Sequence, residues 1–81
     1  MAPEITIRQA ASADAFELRR LAALDDARAL RGDVLLAEQA GEVRAAISLR
    51  DGRVIANPFA PTAELVEMLR MHRRHVETIA A

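Results

Sequence analysis

Apolar and polar positions alternate along Glu4-Ile5-Thr6-Ile7-Arg8. With β-branched residues at two of the apolar places, this pattern predicts a short, half-buried strand. From Ser12 the spacing becomes helical: Ala15, Leu18, Leu21, Ala22 and Asp25 form a narrow stripe, while Arg19 and Arg20 point to water. Ser12 is the expected cap, and Asp14 lies in the first turn, where the positive end of the helix dipole favours a carboxylate. The helix is expected to reach Leu24 or Ala27, with room for one more turn at Ala27–Arg31 before Gly32 stops it.

After Gly32 the pattern becomes extended. Val34-Leu35-Leu36-Ala37-Glu38-Gln39 reads as a strand buried on both faces at its start. Gln39-Ala40-Gly41-Glu42 then reads as a hairpin turn, with Gly41 suited to a positive φ. The next strand, Val43 to Arg50, places Val43, Ala45, Ile47 and Leu49 on one face and Arg44, Ala46, Ser48 and Arg50 on the other. The second of these is expected to be a solvated face, with Glu42 and Asp51 near enough to neutralise Arg44, Arg50 and Arg53. Asp51-Gly52 is a strong hairpin signal, so Arg53-Val54-Ile55-Ala56 should return antiparallel until Asn57-Pro58 ends the ladder.

Thr62 is a good cap for a last helix over Ala63–Ala80, about 27 Å long at 1.5 Å per residue. Its seam is Leu65, Leu69, His72, Val76 and Ile79. With Val66, Met68 and Met71 added, the apolar arc spans about 220°, whereas packing on one sheet needs little more than about 100°. Part of that surface is therefore expected to seek another partner. The order β-α-β-β-β-α predicts a single α+β domain over residues 1–81, with a long C-terminal helix packed on an antiparallel or mixed sheet.

Composition narrows the chemistry. The chain has 81 residues, a formal charge of −1 and no cysteine, tyrosine or tryptophan, and all 11 of its strong cations are arginine. Disulfides, thiolate zinc sites, thiol nucleophiles, a Schiff-base lysine and a phenolic acid are all excluded. A chain this short hides only about 60–65 % of its unfolded surface, so self-association is the expected added support. The slightly acidic balance speaks against nucleic acid as a partner. No apolar run approaches the ~20 residues of a membrane span, and Met1-Ala2-Pro3-Glu4 does not open an export signal, so a cytoplasmic location is expected.

The segment Ile5-Thr6-Ile7-Arg8-Gln9-Ala10-Ala11-Ser12-Ala13-Asp14-Ala15 resembles the opening strand and first helix start of the GCN5-related N-acetyltransferase (GNAT) fold. The run Val34 to Ala46 is similar to that family's second and third strands, and Val54-Ile55-Ala56 to its fourth. The resemblance covers nearly the whole chain and about half of a complete family domain. It implies a half-GNAT-like sheet, and the family activity would be acyl transfer from acetyl-CoA. The chain departs from the family where the cofactor pyrophosphate is held on backbone amides of a glycine-rich loop after the fourth strand. Here that loop is Asn57-Pro58-Phe59-Ala60-Pro61-Thr62, with no glycine after Gly52 and two prolines that remove two amides. The later strands of the family, with their tyrosine acid, have no counterpart in this sequence.

Other candidate chemistry is sparse. His72 and His75 stand three apart on the last helix, a spacing that can serve one metal, yet no third ligand is in reach and His72 falls on the apolar seam, so no metal site is assigned. Ser12 and Ser48 lie in no nucleophile-elbow sequence. Arg70, Arg73 and Arg74 form the densest basic cluster, explained by pairs such as Glu67 with Arg70 and Arg73 with Glu77. The candidate self-association surface is Val54, Ile55, Phe59, Val66, Met68, Met71 and His75, since surface methionines adapt to a partner and an outermost fourth strand offers unpaired amides. The contact is either that sheet edge or the helix flank. The reading is a noncatalytic GNAT-like interaction module, homodimeric and without a cofactor. The rival is an acyl-CoA-dependent N-acetyltransferase, or its acyl-CoA-binding half completed by another chain.

Overall fold

Val34–Ala37, the most continuously apolar run, is fully buried, because it lies inside a sheet that carries a helix on each face. The computed structural model describes residues 4–80, with side chains through residue 76. In chain order the elements are β1 (Ile5–Gln9), a 3₁₀ turn (Ser12–Asp14), α1 (Ala15–Leu24), β2 (Val34–Gln39), β3 (Glu42–Ser48), β4 (Val54–Ala56) and α2 (Ala63–Ala80). The four strands lie in sequence order, each antiparallel to the next. The fold is α+β, with the long last helix packed on the sheet.

The pleat divides the core. On one face Leu36, Ala46 and Ile55 meet Leu21 and Ala22 of α1. On the other, Leu35, Ala37, Ala45 and Ile47 meet Leu65 and Leu69 of α2. Leu36 stands opposite Ala46, and Ala37 opposite Ala45; α2 lies over β2 and β3 and α1 over β3 and β4, so both helices share β3, whose Ala45 and Ala46 present only methyl groups to them. The face expected to be solvated is therefore covered: Ala46 and Ser48 are buried beneath α1. The Ser48 hydroxyl is satisfied locally, accepting the Arg50 and Asp51 amides at 3.2 and 3.4 Å.

Val43 departs from the simple alternation. Glu38 pairs with Val43 but Ala37 pairs with Ala45, a bulge that leaves Arg44 as the extra residue on β3. Val43 accordingly packs with Leu36 and Ala46 on the α1 face rather than with Ile47.

The caps also differ from the sequence reading. Ser12 sits inside the 3₁₀ turn, and the Asp14 carboxylate instead accepts the Ala11 amide at 2.7 Å. The α1 helix stops at Leu24, and no turn forms over Ala27–Arg31. Asp26, at φ 49°, ends it in the left-handed conformation, with Ala27 N–H donating to Ala22 O at 2.9 Å and Asp26 N–H to Ala23 O at 3.2 Å. The β3–β4 connection runs over Leu49–Gly52, since the ladder closes with Ser48 N–H on Arg53 O.

The β2–β3 turn places both central residues in left-handed space, Ala40 at φ 55° and Gly41 at φ 77°. Glycine tolerates that conformation, whereas the alanine Cβ meets the following carbonyl at a cost of about 1 kcal/mol. Replacing Ala40 by Asn, the residue this turn prefers before glycine, should stabilise the protein by about 1 kcal/mol in urea unfolding. An unchanged or lower midpoint would contradict the turn assignment.

Candidate functional site

The α2 seam is buried for only half its length. Leu65 and Leu69 are enclosed, but His72 and Val76, which continue the same spacing, are exposed. The reason is reach: α2 packs on β2 and β3, and an 18-residue helix of about 27 Å outruns that contact. His72, expected to be partly buried, is at the surface, with Nδ1 2.9 Å from Met68 O. The side chain of Ile79, last on the seam, and that of Glu77, the expected partner of Arg73, lie outside the described residues.

The residues singled out for self-association are not equivalent. Phe59 is 82 % exposed and Met71 60 %, and His75 is also exposed. Met68 and Val66 are half-buried, with Val66 packed against the Leu35 cluster. Val54 is half-buried against the same cluster, whereas Ile55 is fully enclosed beneath α1 and has no side-chain surface to offer. The connection between α1 and β2 packs its Ala27 and Leu30 on the α1 face of the sheet, opposite α2.

That connection covers the outer edge of β4. The outward-facing Ala56 amide donates to Asp25 Oδ2 at 3.0 Å. The Arg53 guanidinium donates its two terminal nitrogens to Arg28 O and Ala29 O, both at 2.7 Å, so the chain after α1 is stapled along β4. The sheet edge anticipated as a docking strand is thus occupied by the protein's own backbone and side chains. At the other edge, β1 pairs only with β2 among the described residues.

The β4–α2 connection uses its amides internally. Asn57 N–H donates to Arg44 O at 2.9 Å, Phe59 N–H to the Asn57 side-chain oxygen at 2.8 Å, and Ala60 N–H to Asn57 O at 3.4 Å. Pro58 and Pro61 have no amide to donate. From Asn57 through Pro61, every backbone N–H that exists is therefore engaged, and an anion would find donors only from Thr62 onward.

Charged side chains elsewhere serve mostly as fasteners. Arg8 donates to Asp14 through both terminal nitrogens at 2.8 Å and to Glu38 through Nε, tying the start of α1 to β1 and β2. Arg70 pairs with Glu67 at 2.8 Å, as the spacing predicts, and Arg44 with Glu42 at 3.5 Å. Arg73 Nε donates to Leu49 O at 3.3 Å, and its guanidinium lies over Gly52, where a Cβ would sit 2.9 Å from it. Among the described residues no three His, Asp or Glu side chains converge as metal ligands, and no helix is long and apolar enough to cross a membrane. Comparison of the chain with protein-family models, curated proteins and solved structures found no match.

The Arg8 guanidinium and the Ala11 amide hold the Asp14 carboxyl down to about 2, below the usual carboxylate range. Because the folded-state value is depressed, this contribution to stability is complete above about pH 4 and is lost as pH falls toward 2. Asp14→Asn should lower stability at pH 7 yet flatten the acid-induced loss in that window, as read by chemical denaturation at each pH. Parallel pH profiles for the two proteins would show that the Arg8 pair carries no linkage.

Proposed function

We propose that this chain is a noncatalytic, GNAT-like binding module that pairs with a second copy of itself through the uncovered half of α2. The observation that carries this reading is the seam that changes from buried to exposed after Leu69 while its apolar spacing continues through Val76. Met71 adds exposed apolar surface in the same half of the helix, and flexible methionine suits a helix that must fit a partner's relief. A domain this small gains most from such burial, and twofold pairing is the commonest closed arrangement. With Asp25 and the Arg53 staple on the edge of β4, the helix flank is the favoured contact.

The noncatalytic part of the reading rests on the engaged amides between Asn57 and Pro61, which leave no backbone cradle for a diphosphate before Thr62. The rival, an acyl-CoA-binding half-domain completed by another chain, draws on the sequential β1–β4 sheet followed directly by a long helix. Saturable acetyl-CoA binding that shifts the amides of residues 57–64 in NMR spectra would select the rival.

The pairing is tested by sedimentation across concentration. Met71→Glu should weaken association at least tenfold with the circular dichroism spectrum unchanged, because a carboxylate would be buried without a fixed partner. A parent protein that stays monomeric at every concentration, or a dimer indifferent to Met71→Glu, would contradict the proposal.

A further inference from the structure

A groove of about 600 Å³ opens beside the β3–β4 turn, between that turn and the chain following α1. Its ionic lining is Arg28, Arg31, Arg50 and Arg53 against a single carboxylate, Asp51. Such segregation is unexpected in a chain whose overall charge is −1. Asp51 offsets one of these charges: its Oδ1 accepts the Arg53 amide at 2.9 Å, and this hydrogen bond leads the interactions that hold its carboxyl below the usual range and so ionised, which still leaves arginine in excess. Among the described residues, the side chains of Arg28, Arg31 and Arg50 make no hydrogen bond or ion pair, and all three residues are exposed. Three like charges gathered without partners repel one another, which leaves an electrostatic gain for whatever anion enters.

The groove is also held in shape. The Arg53 fork fixes the carbonyls of Arg28 and Ala29, Leu49 N–H donates to Asp33 O at 2.9 Å, and the Ser48 hydroxyl shapes the turn that carries Arg50. Arg53 is thus a positioning residue, and Arg28, Arg31 and Arg50 are the donors toward the groove. Planar guanidinium groups match phosphate oxygens two at a time, and the volume is that of a small-molecule site. We infer that this groove binds a small ligand carrying two or more phosphate groups. The site lies at the Leu49–Gly52 end of the sheet, whereas the connection denied a diphosphate cradle is at the opposite end of β4.

Inorganic pyrophosphate is the probe, titrated calorimetrically at fixed ionic strength with NMR mapping of the amides. One site per chain is expected, with shifts confined to residues 28–33 and 48–53 and binding weakened at least tenfold by Arg28→Gln combined with Arg50→Gln. Arg53→Lys, which keeps the charge but breaks the fork, should also weaken binding, whereas Arg20→Gln on α1 should not. No saturable binding, equal weakening by Arg20→Gln, equal affinity for citrate, or capture of duplex DNA with no pyrophosphate affinity would each overturn the assignment.

Discussion

Two helices reach β3 from opposite sides, α1 across β3 and β4 and α2 across β2 and β3, and small residues at the shared strand make this possible. Ala37 stands across from Ala45 beneath α2, and Leu36 across from Ala46 beneath α1. All four are sealed from solvent. A methyl group at these crossings lets a helix approach the sheet while leucine and isoleucine fill the flanks, and a larger side chain would have to displace backbone on one face or the other. Few other arrangements let 81 residues enclose a sheet on both faces.

This closure determines what is left over. The α1 face is completed by the chain after α1, whose Asp25 carboxylate and Arg53-bound carbonyls also occupy the rim of β4. The α2 face is completed by Leu65 and Leu69 with Val66 beside them, because the helix then runs beyond the strands it covers. Apolar side chains without cover inside the described monomer include Met71 and Val76 on α2, Phe59 before it and Phe16 on α1, while the side chains of Arg28, Arg31 and Arg50 gather at the Leu49–Gly52 end. Arg73 of α2 lies over Gly52 and donates to Leu49 O, so the two surfaces meet at the β3–β4 turn although their chemistry differs.

The parts of the fold most readable from sequence are those in which one residue type forces one answer. Val34–Ala37 is apolar in every position and had to be buried on both sides; Ala63–Ala80 has no breaker and is helical throughout. The bulge at Val43 was hidden because straight alternation fits those residues equally well, and only pairing with Glu38 shows that Arg44 is extra. The solvated face was misjudged for a related reason. Ala46 and Ser48 are small enough to lie beneath a helix, and their polarity pattern does not report a partner supplied by Leu21 and Ala22. Likewise the seam spacing places His72 and Val76 with Leu65, but spacing does not reveal where the sheet stops. The groove arginines are scattered from Arg28 to Arg53 and carry no sequence motif; the clue available was that arginine is common in the chain while carboxylates near the Asp51 turn are few.

In the proposed pairing the sheet is covered on both faces within one copy, and the part of α2 beyond Leu69 meets a second copy. Hydrogen exchange followed from dilute to concentrated solution tests it directly. The account predicts slow, concentration-independent exchange in β2 and β3, with protection beyond Leu69 that rises with concentration. Exchange beyond Leu69 at one constant rate, or concentration-dependent protection appearing instead along β1 or β4, would contradict it.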